Sequence, residues 1–224
     1  MRKTRSKFHR PDSGQDALSS NIAQSIKRTL DEGRLRTLDT SAGDDFAALV
    51  VERSSSPRAP AWMAEVQSGD AAERKTARAS YERCLEIYRT VVRPQDTTFD
   101  DAGAALAFFV AINLNALHDV PTTSENLLLL ERQLIGVARQ ASGWDTASIS
   151  QRQFYFEQMA MLGVFVAGLV SQARSEGATS QAKVNKAARA YLRRVLGVDP
   201  DRLIFGLHGL SVRPASGPAH SAAR

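Results

Sequence analysis

The chain has 224 residues, of which 43% are hydrophobic, 24% are charged and 7% are aromatic. This length is enough to bury a sizeable core, and the composition is that of an ordinary globular protein. The formal charge of +5 lies in residues 1–10, which carry five basic and no acidic side chains, while the remainder holds 24 of each sign. A neutral body argues against a domain that binds nucleic acid through a basic folded face.

The N-terminal quarter is predicted to consist of an arm followed by a loose helical extension. Residues 1–14 are predicted to be a disordered basic arm, and residues 15–60 a helical extension with a linker. Within the extension, apolar residues recur every four positions, which predicts a narrow helical ridge: Leu18, Ile22, Ile26 and Leu30. Residues 44–53 form a short apolar run that suits a helix or a strand, and we interpret it as a helix. The composition of residues 54–61 is that of a linker.

The remaining chain predicts a helical bundle over residues 61–210. Helical periodicity, capping residues and terminal glycines indicate five core helices, at 71–92, 100–118, 122–140, 148–176 and 179–196. Capping boxes are expected at Thr122-x-x-Glu125 and Ser148-x-x-Gln151. A short helix from Pro200 to Phe205 and a disordered tail at 211–224 complete the prediction. The predicted fold class is therefore all-α.

Two of these helices, 100–118 and 148–176, are apolar on all sides over their middles, which places them side by side at the centre of the bundle. Asn113 and Asn115 interrupt the first of them, and a buried amide requires a hydrogen-bond partner. If the two helices are antiparallel, the asparagines meet Gln153, Glu157 and Gln158. We expect these five side chains to form a buried polar network that fixes the register; the alternative is that they line a pocket.

No motif for phosphate, dinucleotide or metal binding, or for nucleophilic catalysis, is present. We therefore assign no catalytic residue, no metal ligand and no cofactor. His118 and Cys84 are interpreted as structural, since neither has a second reactive group at suitable spacing. Glu157, within an aromatic cluster, is the centre of an enzymatic alternative that also draws on Asn113 and His118.

Two basic surfaces are candidates for binding an anion. The first is the arm, through Arg2, Lys3, Arg5, Lys7 and Arg10. The second is one face of the last long helix, through Lys183, Lys186, Arg189 and Arg193, although such a face is more often simply solvated. The candidate ligands are nucleic acid and anionic lipid.

The longest apolar runs, 102–112 and 159–170, fall short of the roughly 20 residues that span a bilayer, so no transmembrane segment is predicted. Polar residues and a proline follow the basic start where a signal peptide has its apolar region. The expected compartment is the cytoplasm, or an exported location if the start site is misassigned.

Three segments together resemble a bacterial all-helical family classed only as a domain of unknown function: FDDAGAALAFFVAINLNAL, SQRQFYFEQMAMLGVFVAGL and KAARAYLRRVLGVDPDRL. The resemblance covers about residues 85–206 and implies a helical architecture. It implies no activity and no catalytic residue. Our functional expectation is a non-enzymatic protein that acts through a protein partner, with anionic-surface binding and an unrecognised enzyme as alternatives.

Overall fold

The computed structural model describes residues 13–36, 49–93, 99–141 and 143–213, with the backbone alone at 13–16. Seven α-helices occur in these ranges: α1 (Ser13–Asp31), α2 (Ala59–Gln67), α3 (Ala71–Ile87), α4 (Ala102–His118), α5 (Ser124–Gln140), α6 (Ile149–Glu176) and α7 (Ala178–Leu196). Two antiparallel strand pairs accompany them, β1 (Val50–Glu52) with β2 (Phe99–Asp101), and β3 (Leu203–Gly206) with β4 (Gly209–Val212). The predicted all-α class is confirmed, since the strands are only three or four residues long.

The five predicted core helices are α3 to α7. Helix α3 continues into one π-helical turn, Tyr88–Val92, so the predicted end near residue 92 is confirmed. The capping box at Ser148 is present, whereas the one before α5 begins one residue later than predicted, at Thr123 with Asn126. Of the two aspartates before α4, Asp101 accepts hydrogen bonds from the first backbone N–H groups, and Asp100 has another role.

Four sequence interpretations are corrected. Residues 50–52 form a strand rather than a helix, because β-branched Val51 faces inward and pairs with Asp100, while residues 44–48 lie outside the described ranges. The predicted linker already contains the start of α2, whose proline stands in the first turn, where a proline is tolerated. The predicted short helix is a 3₁₀ turn, Pro200–Arg202, followed by β3. The predicted tail begins with residues of β4, and 214–224 are not described.

Helix α1 is part of the bundle rather than a loose extension. Its ridge packs against α5, α6 and α7, and Ile22 and Ile26 are at most 1% exposed. The predicted disordered arm covers residues 1–12, outside the described ranges, and 13–14, which already lie in α1.

The β3–β4 hairpin is held to the bundle by a buried glutamine of α5. Gln133 donates from Nε2 to the carbonyl of Leu35 at 3.1 Å and accepts from the backbone N–H of Leu210 at 2.9 Å. Gly209, at the start of β4, has a φ of 75° and lies so close to Gln133 that a Cβ would overlap the amide. Both features require glycine at this position.

Helices α4 and α6 lie side by side at the centre, as the sequence predicts, but they run parallel. Asp100, just before α4, contacts Gln153 in the second turn of α6; Gly163 packs on Phe108; and Asn115 meets Arg174 near the end of α6. The parallel course arises because α5 returns the chain to the start of α4 before α6 begins. Helix α6 is, by length and composition alone, capable of crossing a bilayer, and here it is the central helix, packed on α3, α4 and α7.

Candidate functional site

A buried carboxylate at the end of β2 gathers two arginines. Asp100 is 4% exposed, and it accepts from Arg89 at 2.6 Å (Nη2 to Oδ2) and 3.2 Å (Nε to Oδ1). The Nε of Arg53, just after β1, also lies 3.2 Å from Oδ1. The Arg89 guanidinium lies over the ring of Phe156, 5.6 Å from its centre. Burying Asp100 therefore depends on two cations from different elements.

Gln153 connects this ion cluster to a second buried acid. Its Nε2 lies 3.3 Å from Oδ2 of Asp100 and 3.2 Å from Oε1 of Glu157. Two carboxylate oxygens beside one amide nitrogen determine which way the amide faces. Its Oε1 therefore points away from both acids, and it has no hydrogen-bond partner within the described ranges.

Glu157 caps a helix that is distant in sequence. Its Oε2 accepts from the backbone N–H groups of Arg58 and Ala59, both at 2.9 Å, at the start of α2. The first N–H groups of a helix have no partner within the helix, and its positive dipole end favours an anion. Glu157 thus has a structural role that accounts for its burial at 1% exposure.

A cleft of about 460 Å³ lies above these two side chains. We call it the polar cleft. Gln153, Glu157 and Phe154 of α6 line it together with Arg53 and Arg58, and Arg58 donates to Oγ of Ser150 at 2.5 Å. Its other lining residues are Glu52, Ser54, Ser55 and Ile149. This combination of charges and hydroxyl groups offers both donors and acceptors to a polar ligand.

The predicted network of five polar residues is only partly assembled. Gln153 and Glu157 are joined, but Asn113 donates to the carbonyl of Phe109 in its own helix at 2.8 Å. Asn115 donates to the carbonyl of Val120 at 2.8 Å and accepts from Arg174. The asparagines do not meet Gln153 and Glu157, because α4 and α6 are parallel and the asparagines lie at the opposite end of the pair. The Oδ1 of Asn113 is the other buried acceptor without a described partner.

The enzymatic alternative placed Glu157, Asn113 and His118 in one site. The parallel course of α4 and α6 keeps Asn113 and His118 away from Glu157. His118 lies at the far end of α4, with Nε2 3.2 Å from the carbonyl of Pro200. Asn113 is likewise remote, so the polar cleft contains neither. Across the described ranges, no three His, Cys, Asp or Glu side chains come together as metal ligands. Burial raises the pKa of the Cys84 thiol, which keeps it protonated and unreactive at neutral pH.

The basic face of α7 is partly neutralised by its own chain. Arg189 pairs with Asp201, and Arg193 lies 3.5 Å from Asp199. The hydrogen bond from Arg189 lowers the pKa of Asp201, which keeps that carboxylate charged. Lys183 and Lys186 lie on the same helix. The five basic residues of the arm lie outside the described ranges.

A second depression lies between α1, α2, α6 and α7. It has a volume of about 540 Å³, and we call it the apolar groove. Its apolar lining comes mainly from α2, α6 and α7 and includes Trp62, Met63, Val66, Phe154, Met159, Leu162 and Tyr191. Lys27, Arg194 and the predicted network residue Gln158 are also among its lining residues. Phe154 lines both the apolar groove and the polar cleft, so the two depressions are neighbours.

Sequence reasoning missed Asp100, Arg53, Arg89 and the apolar groove. One signal was available for Asp100: of two adjacent aspartates before a helix, only one can occupy the capping position. The other then needs a cationic partner if it is buried. The arginine partners come from distant segments, and the sequence carries no sign of which of its many arginines would be chosen.

Seven helices with two short strand pairs in the described ranges define this protein as a mostly all-helical domain. The chain belongs to a family of unknown function, DUF6683, whose sequence profile matches residues 7–213. The resemblance to a domain of unknown function is thereby confirmed. No curated protein and no solved structure matches the chain.

Proposed function

We propose that this protein acts without catalysis, by binding an amphipathic helix of a partner protein in the apolar groove. The observation that supports it is the groove itself, which presents aromatic and methionine side chains on the surface of a folded bundle. Val66, one of its lining residues, is 62% exposed, so an apolar side chain of the groove is accessible to a partner. Methionine and aromatic side chains are well suited to adaptable protein contacts.

The dimensions of the groove suit a helix. Lining residues run from Ser19 to Lys27 on α1 and from Phe154 to Leu162 on α6. Each run covers eight residue steps, or about 12 Å at the rise of an α-helix. An occupant with apolar residues at i, i+4 and i+7 spans about 10.5 Å and fills that length.

The charge at the rim selects among amphipathic helices. Arg194 and Lys27 are exposed lining residues, and Lys27 is also paired with Asp31 at 2.5 Å. A partner helix with an acidic residue beside its apolar face would meet Arg194. No Asp or Glu is among the lining residues of the groove, and burial raises the pKa of the Tyr155 phenol, which stays neutral.

Binding to an anionic surface is the weaker alternative. The α7 face offers less free charge than its sequence suggests, because Arg189 and Arg193 pair with aspartates. That alternative therefore depends on the arm. It is distinguished by its dependence on Arg2, Lys3, Arg5, Lys7 and Arg10, which the groove hypothesis does not require.

Site-specific photocrosslinking in the source cells tests the proposal. A benzophenone amino acid is placed at Val66 in the full chain, with Leu207 as the matched control, since Leu207 is an apolar residue exposed by 81% in the β3–β4 turn. We expect a protein adduct at Val66 alone. Its crosslinked peptide should be an amphipathic helix with an acidic flank, and Arg194→Glu should reduce its yield.

Several outcomes overturn the proposal. A small amphiphile attached at Val66 would make the groove a ligand pocket. Identical adducts from Val66 and Leu207, or no protein adduct at Val66, would remove the evidence for a docking surface there. Adducts that disappear when the five basic arm residues are replaced by glutamine, and not with Arg194→Glu, would favour the anionic-surface alternative.

A further inference from the structure

We propose that Gln158 selects the helix that the apolar groove accepts, by pairing with an Asn or Gln side chain in the middle of the partner's apolar face. This inference rests on the proposed function, because it specifies the chemistry of the partner at that same site. It starts from the position of Gln158, a polar residue of α6 that lines a groove made mainly of aromatic, methionine and aliphatic side chains.

Gln158 lies on the deep side of the groove. Its neighbours in the α6 part of the lining, Phe154, Tyr155 and Met159, are at most 6% exposed. Gln158 itself is half-buried, whereas Gln24, the other amide in the described lining, is exposed on α1. A helix that fills the groove therefore removes water from Gln158, while Gln24 stays hydrated at the surface.

The amide of Gln158 depends on water in the free protein. Within the described ranges, no protein group forms a hydrogen bond with this side chain. Docking of a wholly apolar face would take the water away and give no hydrogen bond in return. An amide buried in that way destabilises the complex, so the groove discriminates against such partners.

A second carboxamide is the group that best replaces this water. The side chain of Gln158 presents a carbonyl acceptor and an NH₂ donor side by side, and another carboxamide can exchange two hydrogen bonds with it. A carboxylate accepts but does not donate, an ammonium group donates but does not accept, and a hydroxyl group offers only one atom. The same chemistry lets a single buried asparagine determine register and partner choice in coiled coils.

The place of the amide on the partner follows from the place of Gln158 on α6. Gln158 is four residues after Phe154 and four before Leu162, which all line the groove, so about 6 Å along the axis separates it from each. It therefore faces the middle of the groove. On a partner with apolar residues at i, i+4 and i+7, the central position on the same face is i+3. We expect the carboxamide there.

Peptide display on the full chain tests this expectation. The library consists of amphipathic helices of about 18 residues, or about five turns, with leucine at i, i+4 and i+7, glutamate on one flank and a randomised i+3 position. The unaltered protein should enrich Asn or Gln at i+3, and Gln158→Leu should enrich apolar residues. In fluorescence anisotropy, the amide peptide should bind the unaltered protein about tenfold more tightly than the leucine peptide, with the order reversed for Gln158→Leu.

Two further variants locate the effect. Gln172→Leu is the matched control, because Gln172 is an exposed glutamine of α6 that does not line the groove; it should leave both affinities unchanged. Val66→Lys places a charge among the apolar lining and should weaken every enriched peptide. Urea midpoints verify that each variant is folded.

The outcomes separate this inference from the proposed function. If neither protein enriches a helix, or if binding survives Val66→Lys, docking in the groove is overturned and the inference with it. If helices bind in the groove but both proteins select the same residue at i+3, or the unaltered protein selects a residue other than Asn or Gln, docking stands and the role of Gln158 is overturned. Only a reversal of preference between the two proteins supports both.

Discussion

Arg89 donates to Asp100 through two nitrogens, at 2.6 and 3.2 Å, and so joins the π-helical turn after α3 to the strand that precedes α4. The Asp100 carboxylate is 2% exposed and the Arg89 side chain 16%. Arg53 from β1 and Gln153 from α6 meet at the same carboxylate. Four separate elements are therefore fastened at one acidic residue.

Removing the charge of Asp100 should be strongly destabilising. Asp100→Asn leaves two partly buried guanidinium groups without their carboxylate, and breaking a buried ion pair costs about 3–5 kcal/mol. Urea unfolding measures the loss. The control is Asp145→Asn, an exposed residue, which should change stability by less than about 0.5 kcal/mol. Equal stability in the two variants would show that the pair contributes nothing net.

The close approach of α4 and α6 should make Gly163 intolerant of a side chain. A Cβ there would lie 2.6 Å from Cδ1 of Phe108 and 3.4 Å from the backbone of Phe109. Gly163→Ala should cost about 1–3 kcal/mol through overpacking. Gly168, in the same helix, has open space around it, so Gly168→Ala should be neutral or stabilise by up to about 1 kcal/mol. Chemical denaturation of both variants checks the opposite signs.

Helix α1 should be required for folding. Ile26 is fully buried, and Ile26→Ala should cost about 2–5 kcal/mol, while Arg28→Ala on the exposed side should have little effect. Thermal unfolding distinguishes them. If Ile26→Ala is as stable as the unaltered protein, α1 does not contribute to the core and is only an extension.

Glu131 should give stability a measurable pH dependence. Burial raises its pKa above the ordinary 4.5, although Arg93 at 2.9 Å opposes this. Between the ordinary and the raised pKa, the folded state binds a proton that the unfolded state has released. Stability from this group therefore falls as pH rises through that window and is constant above it.

Glu131→Gln removes this dependence. Relative to the unaltered protein, the variant should gain stability as pH rises from about 4.5, up to the raised pKa, and the difference should then be constant. Urea midpoints at half-unit pH steps measure it. A difference that changes in the opposite direction would mean that Arg93 outweighs burial and lowers the pKa of Glu131 in the folded state.

Local signals in the sequence were reliable where they rest on backbone chemistry. The capping box at Ser148 and the glycine at the end of α7 depend on residues within a few positions, and both were predicted correctly. Strands β1 and β2 were missed because each is stabilised by pairing with a segment that is distant in the sequence. Val50–Glu52 is a strand only because Phe99–Asp101 lies beside it.

By itself, the sequence determined the helical class, the five core helices and the central place of α4 and α6, because hydrophobic periodicity and caps are local properties. Only the tertiary structure decided that α4 and α6 are parallel, and hence that Gln153 meets Asp100 while Asn115 meets Arg174. The direction in which two apolar helices pack depends on the path of the chain between them. The walls of the polar cleft and of the apolar groove come from segments far apart in sequence, so only the tertiary structure brings them together.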